Sequence, residues 1–399
     1  MRKKVSILFC LCACVLTALV TLAAVRCFSR PRVPEPGPVA AEDKLAEAAQ
    51  LIRENFIGEY SEADMTDAAI DAMVASLKDR WSYYMTAEEM AAYLNTQNNR
   101  YGGIGIVLRD GEDGIAAIYK VYAHSPAGEA GVPTGALFLA VGERDVAGEN
   151  TETVAALIRE DIAAGRVELR LLSPAGEELA YSLIPGDVYT EPVSSRVLAS
   201  SLGYVKVENF EGRSAGEAIE AVKGLLDEGV SGIIFDVRDN PGGLLSELLD
   251  LLDYLLPEGK LFISRFIDGT EETETSDADC VELPMAVLVN GDTYSAAEFF
   301  AAALREYGWA QVVGTRTSGK GYAQITVPMK DGSAIHISHM AYYTPSGESL
   351  AGVGLTPDLT VEMDDEARYA LYYDMLPEED DLQLQAAVGL LSASVSVSP

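Results

Sequence analysis

The sequence predicts a multidomain α/β protein in three parts: an N-terminal helical segment, a small β-barrel-like domain and an α/β layered core. Three patterns predict it. Residues 42–95 repeat apolar side chains at three-four spacing, residues 100–186 hold short alternating strands around a single helical stretch, and from about Tyr189 onward apolar strands alternate with helices. A chain of 399 residues is long enough for two or three domains.

The chain opens with a segment at 1–30 and a proline-rich linker at 31–41. Met1-Arg-Lys-Lys precedes an uncharged run of 21 residues from Val5 to Val25, long enough as a helix to cross a hydrocarbon core of about 30 Å. Thr21-Leu22-Ala23 is a weak cleavage site, so an uncleaved membrane anchor is expected, with secretion after signal cleavage as the alternative. Arg26, Arg30 and Arg32 offset Arg2, Lys3 and Lys4 in a positive-inside count. Four of the five cysteines lie in or beside this segment. Cys280 is then alone downstream, and no intrachain disulfide framework can form there.

The helical segment at 42–99 places Leu45, Ala48, Ala49, Ile52 and Phe56, then Ile70, Met73, Val74 and Leu77, at helical spacing, which suits packing or homodimerisation. In 100–186 the runs GIGIVL, IAAIYKVY, ALFLAVG, RVELRLL and ELAYSLI read as strands and 151–162 as the helix. The third part, 187–366, alternates SGIIFDV with LLSELLDLLDYLL and MAVLVN with SAAEFFAAALREYG. Asp331-Gly332 is expected to turn a hairpin between ITVPMK and SAIHISHMAYY. The acidic run at 271–279 reads as a solvated loop, and 367–399 closes with the helical DLQLQAAVGLL and a tail. The net charge of −33 argues for solubility through self-repulsion and against nucleic acid as a partner.

The chemistry concentrates between Met285 and Gly321. MAVLVN leads into a turn with Ser295 at a helix start, and Lys320 follows 25 residues later in a glycine-framed loop, with no histidine between them. A serine there is by default an N-cap, and a Gly-Lys-Gly is by default a loop. As a nucleophile, Ser295 needs a base, and the three histidines, His124, His336 and His339, are poorly placed for a triad. No zinc motif occurs, so no metal or other cofactor is implied. A lysine base must be neutral, which at its ordinary pKa is true of about one molecule in 2,500 at pH 7. Burial has to lower it to about 7 to 8, a cost of about 4 kcal/mol to the charged form. Gly319 and Gly321 allow the close packing that such burial requires.

VLVNGDTYSAAEFF, TSGKGYAQ, YYTPSGESLAGVGLTPD and FDVRDNPGG resemble, in order, motifs of the C-terminal processing (tail-specific) peptidases. DRWSYYMTAEEM, GGIGIVL and AHSPAGEAGVPTG are similar to the N-terminal segment and PDZ domain of that family, so the likeness runs over residues 42 to 390. The resemblance implies a PDZ domain at 100–186 and a crotonase-like or Clp-protease-like layout of the core. It implies a serine endopeptidase with Ser295 as nucleophile, Lys320 as base and Gln324 orienting the lysine. The oxyanion donors are then the N–H of Ala296 with that of Gly242 or Gly243, a choice the residues leave open. Glu298, by default a first-turn acid, is a candidate positioning residue. Gly103, Ile104, Gly105 and Ile106 would hold a peptide tail added as a strand.

Those implications make the partners proteins or peptides with exposed C-terminal tails, with the bulk of the chain outside the cytoplasm. TYSAAE, DVRDNPGG and SGKG depart from the usual family wording, and Asp239 adds an acid near the oxyanion turn. The rival reading is a catalytically silent PDZ peptide-binding scaffold. An acyl-CoA enzyme of crotonase-like layout is a weaker one, since it leaves the Ser-Lys pair unexplained.

Overall fold

A strand in the middle of a parallel sheet is covered on both faces and reads as an unbroken apolar run. Met285–Val289 is such a strand and Ile233–Asp236 is apolar up to its last residue, with every residue of both buried. The computed structural model describes residues 40–395 apart from residue 112, with side chains as far as 393. The expected membrane segment and most of the linker lie outside the described residues, and no described helix is long and apolar enough to cross a membrane.

The two buried strands sit centrally in a six-stranded sheet ordered Val193–Val197, Gly203–Val207, Ile233–Asp236, Met285–Val289, Ala310–Gly314, Leu359–Thr360. The first pair is antiparallel and the others are parallel. Strand alternation divides their side chains between two cores. Ile233, Phe235, Val287 and Val289 pack with the helices Ser214–Asp227, Leu245–Leu255 and Ala296–Glu306. Ile234, Ala286 and Leu288 face Leu384, Ala387 and Leu391 of the closing helix Leu382–Val395. Phe210, Phe235, Phe299 and Phe300 are fully buried, each contributing about 1.5–3 kcal/mol of transfer free energy. This is the layered α/β core that the alternation of strands and helices predicts.

A second, antiparallel sheet joins Tyr83–Met85, Ala334–Tyr343, Gly259–Phe266 and Glu271–Ser276, with Tyr322–Pro328 paired to Ala334–Tyr343. The expected hairpin is present: Gly332 takes φ +93 and Met329 N donates to Ser333 O at 2.7 Å. The acidic run departs from expectation. Glu271–Ser276 is an edge strand with all but its last residue exposed. Its backbone pairs with Gly259–Phe266 while its carboxylates stay in water, and those charges discourage further strand pairing.

A third sheet, also antiparallel, contains Ile106–Asp110, Ala116–Val121, Leu137–Val141, Val167–Leu172 and Glu178–Leu183 in that order. Ile118, Phe138, Leu169 and Leu171 close its core against Val154 and Ile158 of the helix Thr151–Ala163. Ile106–Asp110 lies at the sheet edge.

Three helices, Ala41–Asn55, Glu62–Ala75 and Ala87–Gln97, and the short strand Tyr83–Met85 occupy the region predicted as helical. Contacts divide the chain at Met65/Thr66 into two compact units. In the first, the helix Ala41–Asn55 has no buried residue, and its apolar Leu45 and Ile52 are exposed.

Candidate active site

The turn after Met285–Val289 is fixed before Ser295 is reached. Asn290 N donates to Thr293 Oγ1 (3.0 Å), Thr293 Oγ1 donates to Val237 O (2.8 Å) and Tyr294 N donates to Asn240 O (3.2 Å). These bonds leave Ser295 at φ 58, ψ −126, outside the regions open to most non-glycine residues, and its side chain makes no capping bond to the helix Ala296–Glu306. Such a conformation costs about 1–3 kcal/mol. It is held because the helix that follows is buried along Ala296 to Leu304. The N-cap reading of this serine therefore fails on geometry. Its hydroxyl stands at the positive end of the helix, beside the N–H of Ala296, which as the first helical residue has no intrahelical partner.

The Asp239–Gly243 turn meets this serine from the neighbouring strand. Buried Asn240 donates from Nδ2 to Val207 O (2.7 Å) and accepts from Gly242 N (2.8 Å). Gly242 has φ +90, and a Cβ there would fall 2.7 Å from Ser295 Cβ and 2.8 Å from Ala296 N. Only glycine can bring its backbone so close to the nucleophile. At Gly243 an added Cβ would fall 2.3 Å from the Phe210 carbonyl, so this position too is held to glycine. Asp239, the added acid, accepts from Asn290 Nδ2 at 2.8 Å.

Lys320 is positioned by Glu298. The Glu298 carboxylate, fully buried in the first turn of the helix, accepts from Gly319 N (2.7 Å), Lys320 N (3.1 Å) and the Thr317 hydroxyl. Burial raises its pKa, with these donors opposing the rise. Gly321 lies so near Ala351 that a Cβ would sit 2.2 Å from the alanine methyl, which accounts for the glycine frame. The Lys320 amine lies 4.4 Å above the Trp81 ring, and the Arg80 guanidinium lies 4.2 Å from the same ring centre. Burial lowers the amine to about 8, opposed by the Asp79 carboxylate and assisted by the Arg80 charge.

Tyr342 joins the two halves. Its buried phenol donates to the Lys320 carbonyl and lies beside the Ser295 side chain, and burial, followed by the Glu298 charge, holds it well above the ordinary tyrosine range. Gln324 is placed differently from expectation. A bulge falls between Ala323 and Gln324, and the Gln324 amide donates to Tyr322 O (2.9 Å) and Ser338 Oγ (3.1 Å). Ser338 in turn donates to Asp79 Oδ2 (2.6 Å). Its link to Lys320 thus runs through Ser338 and Asp79.

Asp79, Trp81, Ser338 and Tyr342 join the site without having been expected there from the sequence. Asp79 accepts from Trp81 N (3.1 Å), Ser82 Oγ (2.6 Å) and Ser338. These bonds, with the Lys320 charge, outweigh burial and hold its carboxyl below the usual range. The DRW and YYT motifs contained Trp81 and Tyr342, but nothing local in the sequence marked them as neighbours of Lys320.

Away from this centre, Gly103, Ile104, Gly105 and Ile106 line a groove of about 510 Å³ between the edge strand Ile106–Asp110 and the helix Thr151–Ala163. Gly105, at φ +82, abuts Ser125.

Residues 201–361 match the model for peptidase family S41, and residues 33–89 match that for the activating protease CtpB N-terminal domain. The carboxy-terminal processing protease CtpA of Bacillus subtilis is 29% identical over 328 residues, 82% of this chain and 70% of that one. A probable CtpA-like serine protease of Staphylococcus haemolyticus is 28% identical over 322 residues, 80% of this chain and 64% of its own length. Of solved structures, a photosystem II D1 C-terminal processing protease matches with a TM-score of 0.50 at 25% identity, over 90% of this chain and 92% of that one. A putative S41 protease from Bacteroides fragilis, at 18% identity, shares the fold with a TM-score of 0.58 over 91% of this chain and 100% of that one.

Proposed function

Because residues 201–361 match peptidase family S41 and the chain is similar over most of its length to carboxy-terminal processing proteases, we propose that it is a Ser-Lys serine endopeptidase that recognises and cleaves protein substrates through their C-terminal tails. The observation that carries the reading is the strained Ser295, whose side chain leaves the helix uncapped and lies beside the phenol that holds Lys320.

With Lys320 at about 8, about one molecule in eleven carries the neutral amine at pH 7. Lys320 removes the Ser295 proton as Oγ attacks the peptide carbonyl. The oxyanion is stabilised by the N–H of Ala296 and by that of Gly242, which exchanges its bond to Asn240 for the substrate oxygen. Lys320 then gives its proton to the leaving amine, and a water activated by the same amine hydrolyses the acyl-enzyme. Glu298 fixes the lysine loop, while Gln324 acts through Ser338 and Asp79 as a positioning residue.

The groove at Gly103–Ile106 suits a PDZ-type role, because an edge strand beside a helix can accept a tail as an added strand. An uncleaved anchor at 1–30 would keep the remainder outside the cytoplasm. The exposed apolar positions of Ala41–Asn55 suit a homodimer contact.

The test is labelling by a serine-directed fluorophosphonate. Labelling of wild type, lost in Ser295→Ala and strongly slowed in Lys320→Ala, supports the dyad; an unlabelled, folded wild type favours the peptide-binding scaffold.

A further inference from the structure

Glu211 stands directly behind the oxyanion turn. Phe210 N donates to Gly242 O at 2.8 Å, and a Cβ on Gly243 would fall 2.8 Å from Glu211 N. The same turn touches Ser295 through Gly242, so the Glu211 backbone and the nucleophile are neighbours of one turn. Its Oε2 is buried with no hydrogen-bond partner among the described residues. An uncompensated carboxylate oxygen of this kind is costly and calls for an explanation.

The surroundings indicate what would compensate it. Tyr83 and Tyr93 both lie within electrostatic reach of Glu211. His336 stacks on Tyr83 (4.7 Å between ring centres) and meets Tyr93 edge-on (5.7 Å). His336 is kept neutral, lowered to about 4 by burial and by the Lys320 charge, and supplies no cation. Burial and the nearby Glu247 raise Glu211 to about 7. The Glu247 carboxylate is itself occupied, accepting from Arg213 N (3.2 Å) and Ala215 N (2.7 Å). Tyr83, 40% exposed, leaves this aromatic wall open toward solvent. Aromatic faces and one unpaired carboxylate oxygen together match an aliphatic stem ending in a cation.

We propose that Glu211 is a specificity-determining residue of the peptidase site, receiving the lysine or arginine side chain of a substrate residue that flanks the scissile bond. The proposal rests on the peptidase reading above. Substrate binding supplies the missing donor to Oε2 and places the side-chain stem against Tyr83 and Tyr93. A neutral side chain of equal length leaves the carboxylate uncompensated.

The experiment walks a single lysine, with norleucine as the matched control, through the four positions on either side of the cleavage site of one peptide, using the full-length enzyme. The inference predicts one position at which lysine raises kcat/KM about ten- to a hundredfold over norleucine, the scale of a charge-assisted hydrogen bond. Both Glu211→Gln and Glu211→Leu reduce that ratio to about one. A wild type with no position-specific preference for lysine, or variants that keep the preference, overturns it. If wild type cleaves no peptide, the peptidase reading fails, and binding to Ser295→Ala by fluorescence anisotropy decides the Glu211 question alone. Tighter binding of the lysine peptide that is lost on adding Glu211→Gln supports the proposal; equal binding of the two peptides refutes it.

Discussion

Asp79→Asn should make this enzyme more active at neutral pH. The Asp79 carboxylate is the neighbour that favours the charged form of Lys320, while burial and Arg80 favour the neutral amine. Removing one negative charge at this partly buried separation is worth about 1 kcal/mol, or about 0.7 pH unit. From a starting value of about 8, the neutral fraction at pH 7 rises from about one in eleven to about one in three. The predicted kcat/KM gain is then three- to fourfold at pH 7, vanishing above about pH 9, where the amine is neutral in both proteins. Asparagine keeps one acceptor oxygen, for Trp81 N, and puts its amide N–H2 where Oδ2 accepted from the Ser82 and Ser338 hydroxyls, which must turn to accept from it. Arg80→Gln should move the rising limb the other way by a similar amount. The assay is cleavage of an unstructured protein carrying a quenched fluorophore pair, from pH 5.5 to 10. A limb that stays in place in both variants, or moves up in Asp79→Asn, would refute the assignment of Lys320 as the titrating base.

Other perturbations follow from the same geometry. Gly242→Ala places a methyl 2.7 Å from Ser295 Cβ, so the folded protein, checked by circular dichroism, should lose at least a hundredfold in kcat/KM, on the scale of a lost oxyanion donor. Glu298→Gln turns an amide group toward donors that a carboxylate accepted, and should cost about 1–3 kcal/mol in urea unfolding. Tyr342→Phe removes the bond to the Lys320 carbonyl and should lower kcat several-fold while leaving the rising limb near its wild-type pH. Lys320→Met should stabilise the fold at pH 7. The folded pKa of about 8 lies below the ordinary lysine value of 10.5, so the folded state bears the full cost of the buried charge below about pH 8. That cost fades as pH rises toward 10.5, and a gain of about 2 kcal/mol, discounted for partial exposure, should disappear over that window.

The parts legible in the sequence were those written locally. Met285–Val289 and residues 233–235 announce themselves as unbroken apolar runs because both their faces are covered. Ser295 and Lys320 stood out because a turn and a glycine-framed loop bracket one helix, and Glu298 in that helix clamps the loop. Asp79 and Trp81 were invisible because they reach the lysine through pairing of Tyr83 with His336 and a hydrogen bond to Ser338 across 259 residues of chain. Gln324 shows a limit of strand parity: the bend that the spacing demanded exists as a bulge, yet the amide it redirects goes to Ser338. Glu271–Ser276 was hidden because an exposed edge strand needs no apolar alternation.

The central claim is that a neutral Lys320 activates Ser295, and the most direct test is kcat/KM against pH for wild type, Ser295→Ala and Lys320→Ala on a protein with an unstructured C-terminal tail. The account predicts a wild-type rate that rises through an apparent pKa of about 8 and activity lost in both variants. A folded Lys320→Ala that keeps wild-type activity, or a wild-type limb near the ordinary lysine value, would contradict it.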